Sequence, residues 1–112
     1  MSPRQQPVPS VGASSVPEGA HVLDVREPYE WLAGHVEGAQ HIPLGELSER
    51  VSEVPSDRMV HVVCRSGGRS ERAAWFLGAQ GREAVNVAGG MARWAAAGRP
   101  MVTETGRAPE VA

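Results

Sequence analysis

The segment MVHVVCRSGGRSERAAWFLGAQ, residues 59–80, constrains the fold more than any other. Its opening residues, Met59 to Val63, are apolar and β-branched with one histidine among them, and they predict a strand. Further on, Ala73, Ala74, Phe76 and Leu77 sit among good helix formers, predicting a helix over Ser70–Gln80 that Gly81 stops. Between strand and helix the chain has only a short turn containing Gly67 and Gly68. Cys64, the single cysteine of the chain, stands where the strand ends and that turn begins.

The rest of the chain repeats this alternation. HVLDV, residues 21–25, is a compact apolar run ending in charge and reads as a buried strand. Pro28 opens a helix, as proline can in a first turn, and PYEWLAG ends it at Gly34. Gly38 to Ile42 reads as a short extended segment. Leu44, Leu47, Val51 and Val54 recur at spacings of three and four, an apolar stripe on one helix face that Pro55 stops. Ala84 to Val87 is a further strand and Met91 to Ala97 a last helix. Strands alternating with helices predict an α/β fold of three layers, α/β/α, around a mostly parallel sheet of about five strands.

The expected organisation is one domain over residues 19–101. Before it, residues 1–18 hold four prolines with Ser, Gly and Gln, a flexible lead-in in which Val8 to Val11 is the one candidate for a short edge strand. After it, residues 102–112 are expected to be a disordered tail.

Charge and composition narrow the function classes. Of 112 residues, 41% are hydrophobic and 21% charged, and no apolar run is long enough to span a bilayer. MSPRQQPVPS lacks the continuous apolar stretch of a secretory signal, so the expected location is cytoplasmic. A net charge of −2 with scattered basic residues, all eleven of them arginine, favours neither nucleic acid nor an anionic membrane as partner. One cysteine can make neither an internal disulfide nor a multi-cysteine zinc site. The histidines show no i,i+4 pair and no Cys–His spacing, so no metal site is expected.

The chemistry concentrates on Cys64. In open α/β sheets, sites form at the carboxyl ends of strands. Gly67 and Gly68 let the turn curl so that successive N–H groups face inward as an anion cradle. A free thiol titrates near about 8.5, and lowering that by roughly two units takes about 2.7 kcal/mol of preference for the anion. A helix N-terminus supplies about 0.3–1 kcal/mol, so loop N–H groups and Arg65 or Arg69 must add the rest. The alternative, an inert small hydrophobe at a strand end, fits poorly with a thiol set against a Gly-Gly turn and two arginines.

C-R-S-G-G-R-S, residues 64–70, resembles the active-site loop of single-domain rhodaneses, in which a cysteine and the following residues wrap a persulfide. D-V-R-E-P-Y-E-W-L-A-G-H-V-E-G-A-Q-H-I-P, residues 24–43, is similar to the family's early signature, and N-V-A-G-G-M-A-R-W-A-A-A-G-R-P, residues 86–100, to its closing one. The resemblance implies a sulfurtransferase that moves sulfane sulfur from a donor such as thiosulfate to cyanide, a thiol or a partner protein's cysteine. It makes Cys64 the sulfur carrier, with no cofactor beyond the covalent persulfide. Backbone N–H groups of Arg65, Ser66, Gly67, Gly68 and Arg69 would line the cradle, closed by Ser70, and the two arginines would receive the donor anion. His41 departs from the asparagine common in the family pattern, and the helix expected between the first two strands shrinks to GASSVPEG.

Other residues divide between site and scaffold. Asp24, Arg26 and Glu27 end a strand whose tip shares an edge with Cys64, which makes them candidates for the pocket rim. Arg26 is the one best suited to reach substrate, while Asp24 and Glu27 better suit backbone caps or arginine pairs that fix loops. His61 lies three positions before Cys64, so strand alternation sends it to the opposite face. The resemblance gives His35 a structural role at its turn, and His21 and His41 show no partner pattern. Trp31, Trp75 and Trp94 read as core or rim packing.

Two rival readings are distinguishable. Cell-cycle dual-specificity phosphatases, which the resemblance places on the same fold, and arsenate reductases run Cys, five residues, Arg. Here the sixth residue after Cys64 is Ser70 and the arginine comes one earlier. A non-catalytic, sulfur-sensing binding module of the same family is the other, and retention of Cys64 argues against its inactive forms. Lacking a second cysteine, the chain must pass sulfur to an outside acceptor.

Overall fold

A computed structural model describes residues 8–112. Five strands form one all-parallel sheet: β1 Ser10–Gly12, β2 His21–Asp24, β3 Gln40–His41, β4 Val60–Val63 and β5 Ala84–Ala88. Their spatial order is β1-β5-β4-β2-β3. Four α-helices connect or follow them: α1 Pro28–Ala33, α2 Leu47–Arg50, α3 Gly68–Ala79 and α4 Gly90–Ala96. The chain is thus an α/β protein of the expected three-layer kind.

The central strands are mostly apolar because both faces of a parallel sheet are covered. All four residues of β4 are buried. Alternation divides them: Val60, Val62 and Cys64 face Leu23, Ile42, Leu47, Ala73 and Leu77, the layer of α2 and α3. Val63, with Val22 and Val87, faces Ala13, Met91 and Trp94, the layer of α4. His61 follows the alternation away from Cys64 and is buried.

Where the elements differ from expectation, a local reason is visible. The stripe Leu44–Val54 is not one helix: a 3₁₀ turn, the four-residue α2 and a second 3₁₀ turn share it. Leu47 and Val54 are buried all the same, so the spacing served packing rather than helix length. The lead-in contributes β1, paired in parallel with β5, and a single 3₁₀ turn Ala13–Ser15 replaces the first crossover helix. Residues 1–7 of the lead-in lie outside the described residues.

Residues 102–112, expected as a disordered tail, are instead held against the body. Val102 and His35 form an antiparallel bridge with N–H···O distances of 2.8 and 3.0 Å. The Glu110 N–H donates to Ala33 O at 2.9 Å, and Val111 packs on the α4-side core. Gly34 makes this passage possible: a Cβ there would lie 2.8–2.9 Å from Glu110 backbone atoms. Backbone pairing, one apolar anchor and side-chain contacts from His35 to Glu104 and from Arg65 to Ala112 hold the strap, and none leaves a periodic pattern in sequence. No helix among the described residues is long and apolar enough to cross a membrane.

Candidate active site

Cys64 sits just past β4, beneath the loop that leads into α3, and is 1% exposed. Gly67 caps α3 with φ +115°, a left-handed conformation that side chains disfavour, and its N–H donates to Cys64 Sγ at 3.0 Å. The Ser70 hydroxyl lies 3.3 Å from the same sulfur. Burial pushes the thiol up. Hydrogen bonds from the Ser70 hydroxyl and from the Ser70, Gly67 and Ser66 N–H groups outweigh it and hold Cys64 below its ordinary value.

The closing segment braces the loop from behind. The turn Gly89–Gly90 aims the first N–H groups of α4 at the loop, Met91 N–H donating to Cys64 O at 2.8 Å and Ala92 N–H to Arg65 O at 3.0 Å. A Cβ on Gly90, whose φ is +55°, would collide with the Cys64 and Arg65 carbonyls. Trp94 is buried, donates its indole N–H to Pro100 O at 3.0 Å, and lies under the Arg99 guanidinium. It thereby anchors the end of α4.

Both loop arginines have oxygen partners within the chain. Arg69 donates to both oxygens of Glu30 at 2.8 and 2.9 Å, and Glu30 also accepts the Glu27 N–H at 2.9 Å. Hydrogen bonds from Arg69, partly opposed by burial, keep the Glu30 carboxyl below its ordinary value, and Glu30 raises Arg69 in turn. Arg65 is exposed, and its Nε donates to Ala112 O at 2.9 Å. Arg69 thus spends two of its five N–H donors on Glu30, and Arg65 one of its five on Ala112.

Of the three expected rim residues, Asp24 and Arg26 are buried in the scaffold. Arg26 is fully buried, donates to both Asp24 oxygens at 2.8–3.0 Å and to Gly34 O at 2.7 Å, and so cannot reach a substrate. Asp24, equally buried, also accepts the Arg26 N–H. Only Arg26 Nη1 lacks a partner in this cluster. Glu27 is the exposed N-cap of α1. Sequence reasoning missed Glu30, one turn into α1, and Asn86 on β5, whose side chain meets Ser70 at 2.6 Å. A carboxylate three residues after an N-cap and an amide inside an apolar strand are the sequence signals by which they could have been found.

Trp31 and Trp94 pack as expected, with partners the sequence did not disclose, whereas Trp75 does not. Trp31 stacks between His35 and His41, with ring centroids 3.6 and 4.6 Å away. His35 donates Nδ1–H to Trp31 O at 2.7 Å, and His41 donates to Arg26 O at 2.8 Å. His21 donates to Gln40 Oε1 at 2.8 Å. Trp75 remains 45% exposed on α3.

The chain is an α/β protein with a parallel sheet whose strand-to-helix turn closes hydrogen-bond donors around one buried cysteine. The chain belongs to the rhodanese-like domain family, whose model matches residues 13–97. It is similar to a sulfurtransferase of Allochromatium vinosum, 39% identical over 80% of this chain and 84% of that protein. Thiosulfate sulfurtransferase GlpE of Pseudomonas putida is 36% identical over 70% of this chain and 73% of its own length. YrkF of Bacillus subtilis is 41% identical over 69% of this chain, which spans only 42% of that longer protein. Among solved structures, the rhodanese-related protein of Thermoplasma volcanium superposes with a TM-score of 0.82 at 36% identity, covering 86% of this chain and 99% of that one.

Proposed function

We propose that the chain is a sulfurtransferase that carries sulfane sulfur as a persulfide on Cys64. The observation that carries this reading is the buried sulfur met by the Gly67 N–H at 3.0 Å and the Ser70 hydroxyl at 3.3 Å, an arrangement that favours the anion. The Cys64 thiolate attacks the outer sulfur of a donor such as thiosulfate. The donor's S–S bond breaks, sulfite departs with the bonding pair, and the new terminal sulfur carries the negative charge. Loop N–H groups that held the thiolate then hold that charge. In the second step an outside thiolate, or cyanide in an assay, takes the terminal sulfur and Cys64 leaves as thiolate.

The name of the GlpE relative supports thiosulfate as donor. Arg65 and Arg69 keep N–H donors beyond those given to Ala112 and Glu30, and with the loop N–H groups they receive the donor's oxygens. The residue six places after Cys64 is Ser70, packed on the sulfur, where a phosphatase loop presents arginine. Intact mass after incubation with thiosulfate tests the reading: a gain of about 32 Da, absent in Cys64→Ser, is expected. No gain with thiosulfate or any other sulfane donor would overturn it.

A further inference from the structure

Asn86 is the single polar residue of β5, 6% exposed among alanines and valines. A buried amide is costly unless its donors and acceptor are used. Its Oδ1 lies 2.6 Å from Ser70 Oγ, and its Nδ2 reaches Ser10 Oγ of the edge strand at 3.5 Å. Ser70 has one hydroxyl proton and three acceptors around it: Asn86 Oδ1, Cys64 Sγ at 3.3 Å and Gly67 O at 3.1 Å. Gly67 O already receives the Glu71 N–H at 3.1 Å. The proton is therefore contested between the sulfur and the amide.

Counting protons shows how both sulfur states are served. With Cys64 as a thiol, S–H donates to Ser70 Oγ and Ser70 donates to Asn86 Oδ1, so every proton has a place. Once the thiol proton has gone to solvent, the sulfur needs a donor and Ser70 must turn towards it. Oγ and Oδ1 would then face each other at 2.6 Å with no proton between them. Rotation of the amide removes the conflict: Nδ2 donates to Ser70 Oγ, and Oδ1 accepts the Ser10 hydroxyl proton.

We infer that Asn86 is a positioning residue for Cys64, its amide accepting from Ser70 beside the thiol and donating to Ser70 beside the sulfur anion. It rests on the reading of Cys64 as a working thiolate and does not depend on which donor supplies sulfur. The charged and titratable groups around the loop are Arg65, Arg69, Glu30 and Tyr29, the closed Asp24–Arg26 pair, and Arg93 beside Gly89. All of them remain in the variants below, so differences between variants report the Ser70–Asn86 chain.

The test is the rate of Cys64 alkylation by iodoacetamide against pH in the full chain. S70A and N86V are each expected to raise the midpoint by about half to one unit, roughly three- to tenfold less thiolate at neutral pH. N86S, which keeps a group able to donate and accept, is expected to shift it less than N86V. In the S70A background N86V should add nothing, because the amide acts through the hydroxyl. A wild-type midpoint in N86V, or a full additional shift on top of S70A, would overturn the role. If valine is not accommodated, Asn86→Ala takes its place with the same two outcomes. Sulfur loading by thiosulfate is scored separately by mass, so failure of the alkylation cycle and failure of the sulfurtransferase reading are distinct results.

Discussion

Arg69 and Glu30 form a two-pronged ion pair, 2.8 and 2.9 Å, that ties the loop around Cys64 to the first helix. The pair is lopsided: the Glu30 side chain is 3% exposed and that of Arg69 32%. Most of its value lies in fixing where the loop stands, since the Arg69 side chain remains about a third exposed to water.

Replacing Glu30 by Gln removes the charge and weakens the clamp. The variant is expected to lose about 1–2 kcal/mol in urea unfolding at pH 7, less than a fully buried pair because Arg69 regains water. The sign with pH follows from the lowered carboxyl, held down chiefly by Arg69. The unfolded chain binds the proton first, so Glu30 contributes fully above its ordinary value of 4.5 and that contribution is lost as pH falls through the folded value. Glu30→Gln should therefore flatten the acid limb of the stability curve, and unfolding at several pH values checks it.

Gly34→Ala strikes the strap rather than the core. The new Cβ would meet Glu110 backbone and the Met101 side chain within 3 Å, and the strap is the element free to give way. Trypsin cleavage after the exposed Arg107 should accelerate, about tenfold for each 1.4 kcal/mol of docking lost, while the midpoint of global unfolding moves little. Equal cleavage rates in variant and wild type would contradict the contact.

His61 is buried on the face away from Cys64, and its Nδ1 has no partner. Burial, first among its influences, holds the imidazole below its ordinary value of 6.5. The unfolded chain is protonated first as pH falls, so the stability tied to neutral His61 is present above 6.5 and is lost as pH drops through the folded value. His61→Val suits a central strand and should be neutral or stabilising by up to about 1 kcal/mol, with less loss between pH 7 and 5. Sulfur loading of Cys64 should be unchanged, which a mass measurement on the same variant establishes.

The layout of the fold was legible wherever one segment carries its own pattern. HVLDV, MVHVV and AVNVA are strands because β-branched apolar residues suit a sheet covered on both faces, and the alternation that separates His61 from Cys64 needs no tertiary information. The glycines after Cys64 likewise announced a loop able to curl its N–H groups towards a sulfur. Arg26 misled for a physical reason: a strand-end arginine is equally suited to a rim and to a buried pair, and only the packing of Asp24 and Gly34 around it decided.

What sequence alone determined is the sheet, the helices that cover it and the position of the one cysteine at a strand-to-loop junction, because propensity and periodicity act over a few neighbouring residues. What the tertiary structure decided is how that cysteine is equipped. Glu30 reaches Arg69 across 39 residues, Asn86 reaches Ser70 across 16, and the strap returns to Arg65 across 47. Each partnership joins polar groups from separate elements, and no local pattern records it. A hydrogen bond depends on position in space, and position is set only when the layers have packed.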